Sequence, residues 1–472
     1  MLKKFLFENL GVKQTLIKNT FWLSLAEGIG KLLRLILIVF VARTLGALEY
    51  GKFTFAFSFA MLFVVFSDFG ISSIMVREFS KDKKKENTFS SILSLKIILS
   101  IIALVFLIVG SFFITQSIEI RKIIWILSIF IIVDSLLEFF YSFLRSRQKM
   151  HIEALAKICQ SVLLFFIGFV VIFNFPNVYN LSFSYLISGF VVLLIFLFFF
   201  NFKVFKLKIN FDCSVWKNIL LFSWPLALAG IASTVYSQID SVMMGSWGYM
   251  VQTGWYNAAY RIIGVLIIPG AIMSSSFMPA LSSAYVNSKD KFIKIYKYFL
   301  DSVVFISIPI LIGGFVLAPK IINWVYDSNY LPSIFAMQIL LAVVFITYLI
   351  YPLSAMLLIV NQQKKIFLAT VLGGIVNVIL NLILIPKFDL YGAAIATLIT
   401  YIFLLVLMFI FLNKYSDIPW LDINTFFGVI ISSAVMYFVI TIPMISQLHV
   451  LLSVLIGAGV YLMSFLIYKK II

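Results

Sequence analysis

NTFWLSLAEGIGKLLRLILIVFVARTLGALEYG, Asn19 to Gly51, is long and apolar enough to cross a bilayer, yet it carries Glu27, Lys31 and Arg34 in its body. A charge near the bilayer centre is unfavourable by roughly 2.5 to 3.5 kcal/mol on insertion scales, so such residues face protein or a water-filled cavity. At about 100° per residue, offsets of four and seven from Glu27 put all three on one helix face within ~40°. One side of this helix therefore faces something wet.

The rest of the chain repeats the apolar part of that pattern. With 63% hydrophobic and 12% charged residues over 472 positions, and a mean hydropathy of +1.11, no soluble class fits. Runs of ~20 apolar residues begin near residues 19, 53, 89, 123, 154, 181, 216, 254, 298, 333, 365, 390, 424 and 449, which predicts an all-α polytopic membrane protein of about fourteen helices. The net charge of +17 does not point to nucleic acid, because the basic residues fall in short connectors between spans. If the helices alternate from a cytosolic N-terminus, most of the 36 Lys and Arg lie on the cytosolic side. That asymmetry predicts a multi-pass protein of the cell membrane with both termini inside. The connectors are too short for a catalytic or receptor domain. Cys159 and Cys213 lack metal-ligand spacing, and there is no HExxH or Walker A sequence, so no catalytic residue, cofactor or metal is expected.

The connector around Asn201 to Asp212 divides the chain near its middle. An offset of 202 aligns Trp22 with Trp224, Gly28 with Gly230 and Gly46 with Gly248. With one inserted residue, Gly51 meets Gly254 and Phe53 meets Tyr256. Each half holds about six helices, an even number, so the copies share an orientation and form a parallel pseudo-two-fold repeat. The expected organisation is an N-terminal lobe over 1–205, a C-terminal lobe over 206–412, and two further helices over 413–472.

Five segments resemble the polysaccharide and O-antigen flippases of the multidrug/oligosaccharidyl-lipid/polysaccharide exporter superfamily: VARTLGALEYGKFTFAFSF (Val41 to Phe59), FSDFGISSIMVREFS (Phe66 to Ser80), LRSRQKMHIEALAKI (Leu144 to Ile158), SQIDSVMMGSWG (Ser237 to Gly248) and VNVILNLILIPKFDLYGAAIAT (Val376 to Thr397). The resemblance implies a transporter, not an enzyme, that moves lipid-linked oligosaccharides from the cytosolic to the outer leaflet. Its implied partners are that substrate, the bilayer, a coupling H+ or Na+, and enzymes of glycan assembly. A multidrug and toxin extrusion antiporter is the rival within the same architecture. A membrane glycan polymerase or ligase is a rival of another class, but it calls for a substantial external loop that the chain lacks.

The candidate residues follow from charge in apolar spans. Arg34 lies ~22 Å along its helix from Asn19 and tilts back toward the helix N-terminus, so water is hard to reach by snorkelling. It either lines a cavity or closes a salt bridge with Glu27 or Asp240. Lys31 can be neutralised by Glu27 at i−4. Arg261 lies two turns inside the eighth span, and Lys31, Arg34 and Arg261 form the expected cationic substrate site. Glu27, Asp240, Asp68, Asp134 and Glu138 are the candidates for ion coupling or gating; Asp134 and Glu138 share a helix face at i, i+4, which suggests a solvated cavity. Lys96, near the inner end of the third span, tilts inward and is expected to snorkel to that membrane face. Gly46 and Gly51, and Pro386 and Gly392, are expected at tight turns between helices.

Overall fold

The structure is a computed structural model and describes residues 11–81, 86–203, 208–413 and 422–471. Among these residues there is no strand, and twelve helices are long and apolar enough to cross a membrane. The chain is a multi-pass membrane protein. It divides into two compact units, Met1–Val251 and Gln252–Ile472.

The first unit holds α1 (Val12–Asp68), α2 (Ile71–Lys81), α3 (Glu86–Ile114), α4 (Ile118–Ser146), α5 (Met150–Asn174), α6 (Val178–Lys203) and α7 (Cys213–Ser246). At 57 residues α1 is twice the length of a span, and it is broken at Gly46, with φ 77 and ψ 174. That backbone region is open to glycine and closed to residues bearing a Cβ. The pairings on either side show what the break does. Before it, Asn19 bonds Gln148, Gly30 abuts Ser161, Gly168 abuts Leu37, and Phe40 meets Phe169 edge to face, so this half runs alongside α5 in the same direction. After it, Lys52 meets Glu119 and Ser67 meets Ser135, so the second half runs alongside α4. Helices α4 and α5 are antiparallel neighbours joined through Arg147 to Lys149, so α1 doubles back at Gly46 and supplies two spans.

Behind this pair, Phe79, Phe89, Phe139, Phe140, Phe143 and Phe200 form an aromatic cluster that ties α2, α3, α4 and α6 together. Short α2 buries Ile71, Ile74, Met75 and Phe79 at helical spacing and leaves Arg77 outward over the Phe222 ring of α7.

The second unit contains α8 (Met250–Asn287), α9 (Lys289–Tyr326), α10 (Ser333–Ile359), α11 (Gln363–Leu412), α12 (Ile423–Thr441), the single turn α13 (Pro443–Ser446) and α14 (Val450–Ile471). Helix α11 repeats the behaviour of α1. Its break is at Asp389, with φ 49 and ψ −127, and Lys365 reaches the Phe411 carbonyl while Gly373 abuts Leu404, so its halves fold against each other. With α1 and α11 each counted as two spans, the twelve helices supply the expected fourteen. Two turn assignments need correction. Gly51 lies inside α1, and the second break falls on Asp389, whereas Gly392 is buried where a Cβ would overlap the Leu384 carbonyl. The last two long helices pack on each other at Gly428 against Tyr468 and Gly457 against Ile440, and Tyr461 donates to the Phe305 carbonyl of α9 at 2.7 Å.

Candidate functional site

The parallel run of α1 beside α5, with α4 on their flank, leaves a cavity of about 220 Å³ lined by Ala26, Glu27, Gly30, Lys31, Arg34, Asp134, Glu138, Tyr141, Lys157, Gln160 and Ser161. Gly30 brings α1 close to α5: a Cβ there would sit 3.0 Å from the Ser161 hydroxyl. The charged face predicted from the first helix and the acidic pair predicted on α4 thus meet around one space. Five of the eight candidate residues line it: Glu27, Lys31, Arg34, Asp134 and Glu138.

The charges around this cavity form a chain of alternating sign. Arg145 spans two acids, donating from Nη1 to Glu138 at 2.6 Å and from Nε to Glu153 at 2.8 Å, with Nη2 on the second Glu153 oxygen. Lys157 links fully buried Glu153, at 3.1 Å, to Glu27, at 3.3 Å. Glu27 is shared more loosely with Lys31 at 3.9 Å. Such pairing is what burial demands, because an uncompensated charge in low dielectric is far costlier than a paired one. Two lining charges stand outside the chain. Among the described residues Arg34 has no salt-bridge partner within 4.0 Å, and the internal bridge from Arg34 to Glu27 is not formed. Asp134 also has none, and accepts only from Gln160 Nε2 at 3.1 Å. With three acids and three bases, the lining is balanced overall; what is uncommitted is one cation on α1 and one anion on α4.

The other candidates lie elsewhere. Asp68, at the end of α1, accepts from Lys96 Nζ at 2.8 Å and from the Ser72 hydroxyl. Lys96 also donates to Ser135 at 2.7 Å, and Ser135 exchanges a hydrogen bond with Ser67. This corrects the snorkelling assignment: Lys96 is 0% exposed because the reversal of α1 brings a carboxylate to it inside the bundle. Asp240 is buried on α7 in the first unit. Arg261 is half-buried on α8 in the second.

Arg145, Glu153, Lys157, Tyr141, Gln160 and Ser161 were missed. From the sequence, Arg145 and Lys157 read as part of the basic connector between the fourth and fifth spans, but helical structure resumes at Met150 and draws Glu153 and Lys157 into α5. The i, i+4 spacing of Glu153 and Lys157, and the two-turn spacing of Glu138 and Arg145, carried the signal.

The family model for polysaccharide biosynthesis proteins matches residues 16–285, more than half of the chain and every residue lining the cavity. The chain belongs to this family. Among its relatives is the Haloferax volcanii protein named probable low-salt glycan biosynthesis flippase Agl15, 22% identical, with 97% of each chain covered. In fold it is similar to a structure of the lipid II flippase MurJ in an inward closed conformation, with a TM-score of 0.79, 21% identity, and 95% of this chain and 98% of that one covered. It is also similar to an inward-facing multidrug resistance transporter of the MATE family, with a TM-score of 0.65 at 18% identity, covering 84% of this chain and 100% of that one. The resemblance carried by the five quoted segments is therefore one of family as well as of fold.

Proposed function

We propose that this member of the family is a flippase that carries a polyprenyl-diphosphate-linked oligosaccharide from the cytosolic to the outer leaflet by alternating access. Its membership of a polysaccharide biosynthesis family and its full-length likeness to named flippases support that class of substrate. The observation that carries the reading is Arg34. Lys31, Lys157 and Arg145 are each engaged by acids, whereas the guanidinium of Arg34 is exposed in the cavity with no acid on it. A planar fork of donors in a low-dielectric space suits a phosphate oxygen pair, and it leaves the polyprenyl chain to the lipid. Lys31, held at 3.9 Å, is the cation most readily turned to the same anion. Arg261 is the corresponding candidate of the second unit, and its repeat-equivalent in the first is Ser58. The return step draws on a proton, sodium or potential gradient, for which Glu27 and Asp240 are the candidate carboxylates. The cycle takes place in the cell membrane with both termini in the cytosol.

In cells lacking the protein, lipid-linked oligosaccharide is expected to build up in the cytosolic leaflet. Arg34→Ala should lower translocation on the order of tenfold or more at equal expression, since a charge-assisted hydrogen bond to phosphate contributes roughly 1.5–3 kcal/mol. Arg261→Ala is scored beside it. Full translocation in both variants would overturn the anion site. Unchanged glycans with drug hypersensitivity would assign the protein to multidrug export instead, and normally flipped but unpolymerised units would assign it to polymerisation.

A further inference from the structure

The two uncommitted charges of the cavity lie on different helices, Arg34 on α1 and Asp134 on α4, and they do not pair with each other. Their separation means that the space between them is lined for a ligand with two unlike faces. Asp134 has a fixed presentation. Gln160, itself 4% exposed, donates from Nε2 to Oδ1, which orients the carboxylate and leaves Oδ2 as an acceptor. Gln160 keeps its own Oε1 as a second acceptor. Beside them lies Tyr141, 2% exposed, whose hydroxyl has no hydrogen-bond partner although its ring lines the cavity under the Lys157 ammonium. A buried, unpartnered hydroxyl costs folding free energy, and it recovers that cost when a polar ligand group meets it.

Resting on the reading of Arg34 as the phosphate contact, we propose that Asp134, Gln160 and Tyr141 form a second half-site, which reads the sugar attached directly to the phosphate. In a glycosyl phosphate the anomeric carbon bears the anion and the adjacent carbon bears a hydroxyl or an acetamido N–H. Anion and donor therefore lie a few ångströms apart on one rigid ring. A carboxylate held beside a neutral amide accepts from such donors, and a bare prenyl diphosphate has none to offer. The size of the space agrees with this division. At about 220 Å³ it falls below the ~300–1,000 Å³ of pockets that engulf drug-sized ligands, so it holds the charged head and part of one sugar while the remaining glycan lies outside. Selection then acts at the reducing-end sugar, and the length of the glycan beyond it is free to vary.

Purified protein in detergent can be titrated with two probes, farnesyl diphosphate and farnesyl-diphospho-N-acetylglucosamine. The wild type should bind the sugar-bearing probe on the order of tenfold more tightly, because a hydrogen bond to the charged Asp134 acceptor is one that the bare probe has no donor to make. Asp134→Asn should bring that ratio near one. Binding of the bare probe should stay unchanged or tighten, because a negative charge near Arg34 has been removed. That retained binding also shows that the near-isosteric variant is folded. Gln160→Leu should reduce the ratio in the same direction. A ratio that survives Asp134→Asn, in protein whose farnesyl diphosphate binding is lost on Arg34→Ala, overturns the sugar half-site alone. Farnesyl diphosphate binding that persists in Arg34→Ala overturns the phosphate reading and the proposal with it.

Discussion

Lys96 shows how a single side chain escapes a sequence argument. Its position near one end of a span, with a stem tilted toward that end, is the ordinary setting for an ammonium that reaches water. The structure instead closes it off completely and gives it Asp68 at 2.8 Å and Ser135 at 2.7 Å. Nothing local to α3 distinguishes the two cases; the difference is made by α1 doubling back and delivering Asp68 from another part of the chain. Lys96→Met should therefore destabilise the protein by about 3 kcal/mol or more, since it leaves a largely buried carboxylate without its cation. The double variant Lys96→Met with Asp68→Leu should recover much of that loss, because a buried pair replaced by apolar groups is close to neutral. Thermal unfolding in detergent reads both. Equal destabilisation in the single and double variants would show that the pair contributes through packing and not through charge. The charges of α1 are the contrasting case. Glu27, Lys31 and Arg34 were legible because their relation is fixed by one helix, and they do line one cavity. Their partners on α4 and α5 were not, because contact between helices is set by packing that residue spacing does not encode.

At the scale of elements, the two double-length helices were legible as four spans but not as two bent rods, and the residues that bend them differ. Gly46 adopts φ 77 with ψ 174, a combination reached almost only by glycine, whereas Asp389 takes φ 49 with ψ −127, near the first central position of a type II′ turn, where glycine is favoured and Asp is an uncommon occupant. The first turn is thus made with the residue type its backbone favours, and the second against it. Gly46→Ala should cost about 1–3 kcal/mol, although no atom lies within 4 Å of the new Cβ, because the penalty is in the backbone. Gly28→Ala is the matched control on the same helix. It also meets nothing within 4 Å, but it sits in helical backbone, where alanine is favoured over glycine by up to ~1 kcal/mol. Opposite signs for these two substitutions, measured as shifts of the unfolding midpoint, would place the strain at the turn; a shared sign would assign both effects to changed packing.

For the whole molecule, the count of spans and the distribution of charge lead to one test of orientation. With α1 and α11 each crossing twice, the described residues make an even number of crossings, and the proposed topology brings both termini out on one side. The Lys and Arg bias assigns that side to the cytosol. Under that proposed topology, Ser288, between α8 and α9, is expected inside and Ser328, after α9, outside. Both natural cysteines are exposed, so they must first be replaced by serine. Cysteine placed at 328 should then react with a membrane-impermeant maleimide in intact cells, and cysteine placed at 288 only after permeabilisation. The reverse pattern would invert the protein. It would also invert the proposed direction of loading, because the Arg145 to Glu153 end of the cavity network lies at the α4–α5 connector, where Asn19 near the start of α1 bonds Gln148. Orientation and mechanism are therefore bound together. In the proposed cycle, delivery of a lipid-linked glycan from the cytosolic leaflet to Arg34 requires that this end of the first unit face the cytosol.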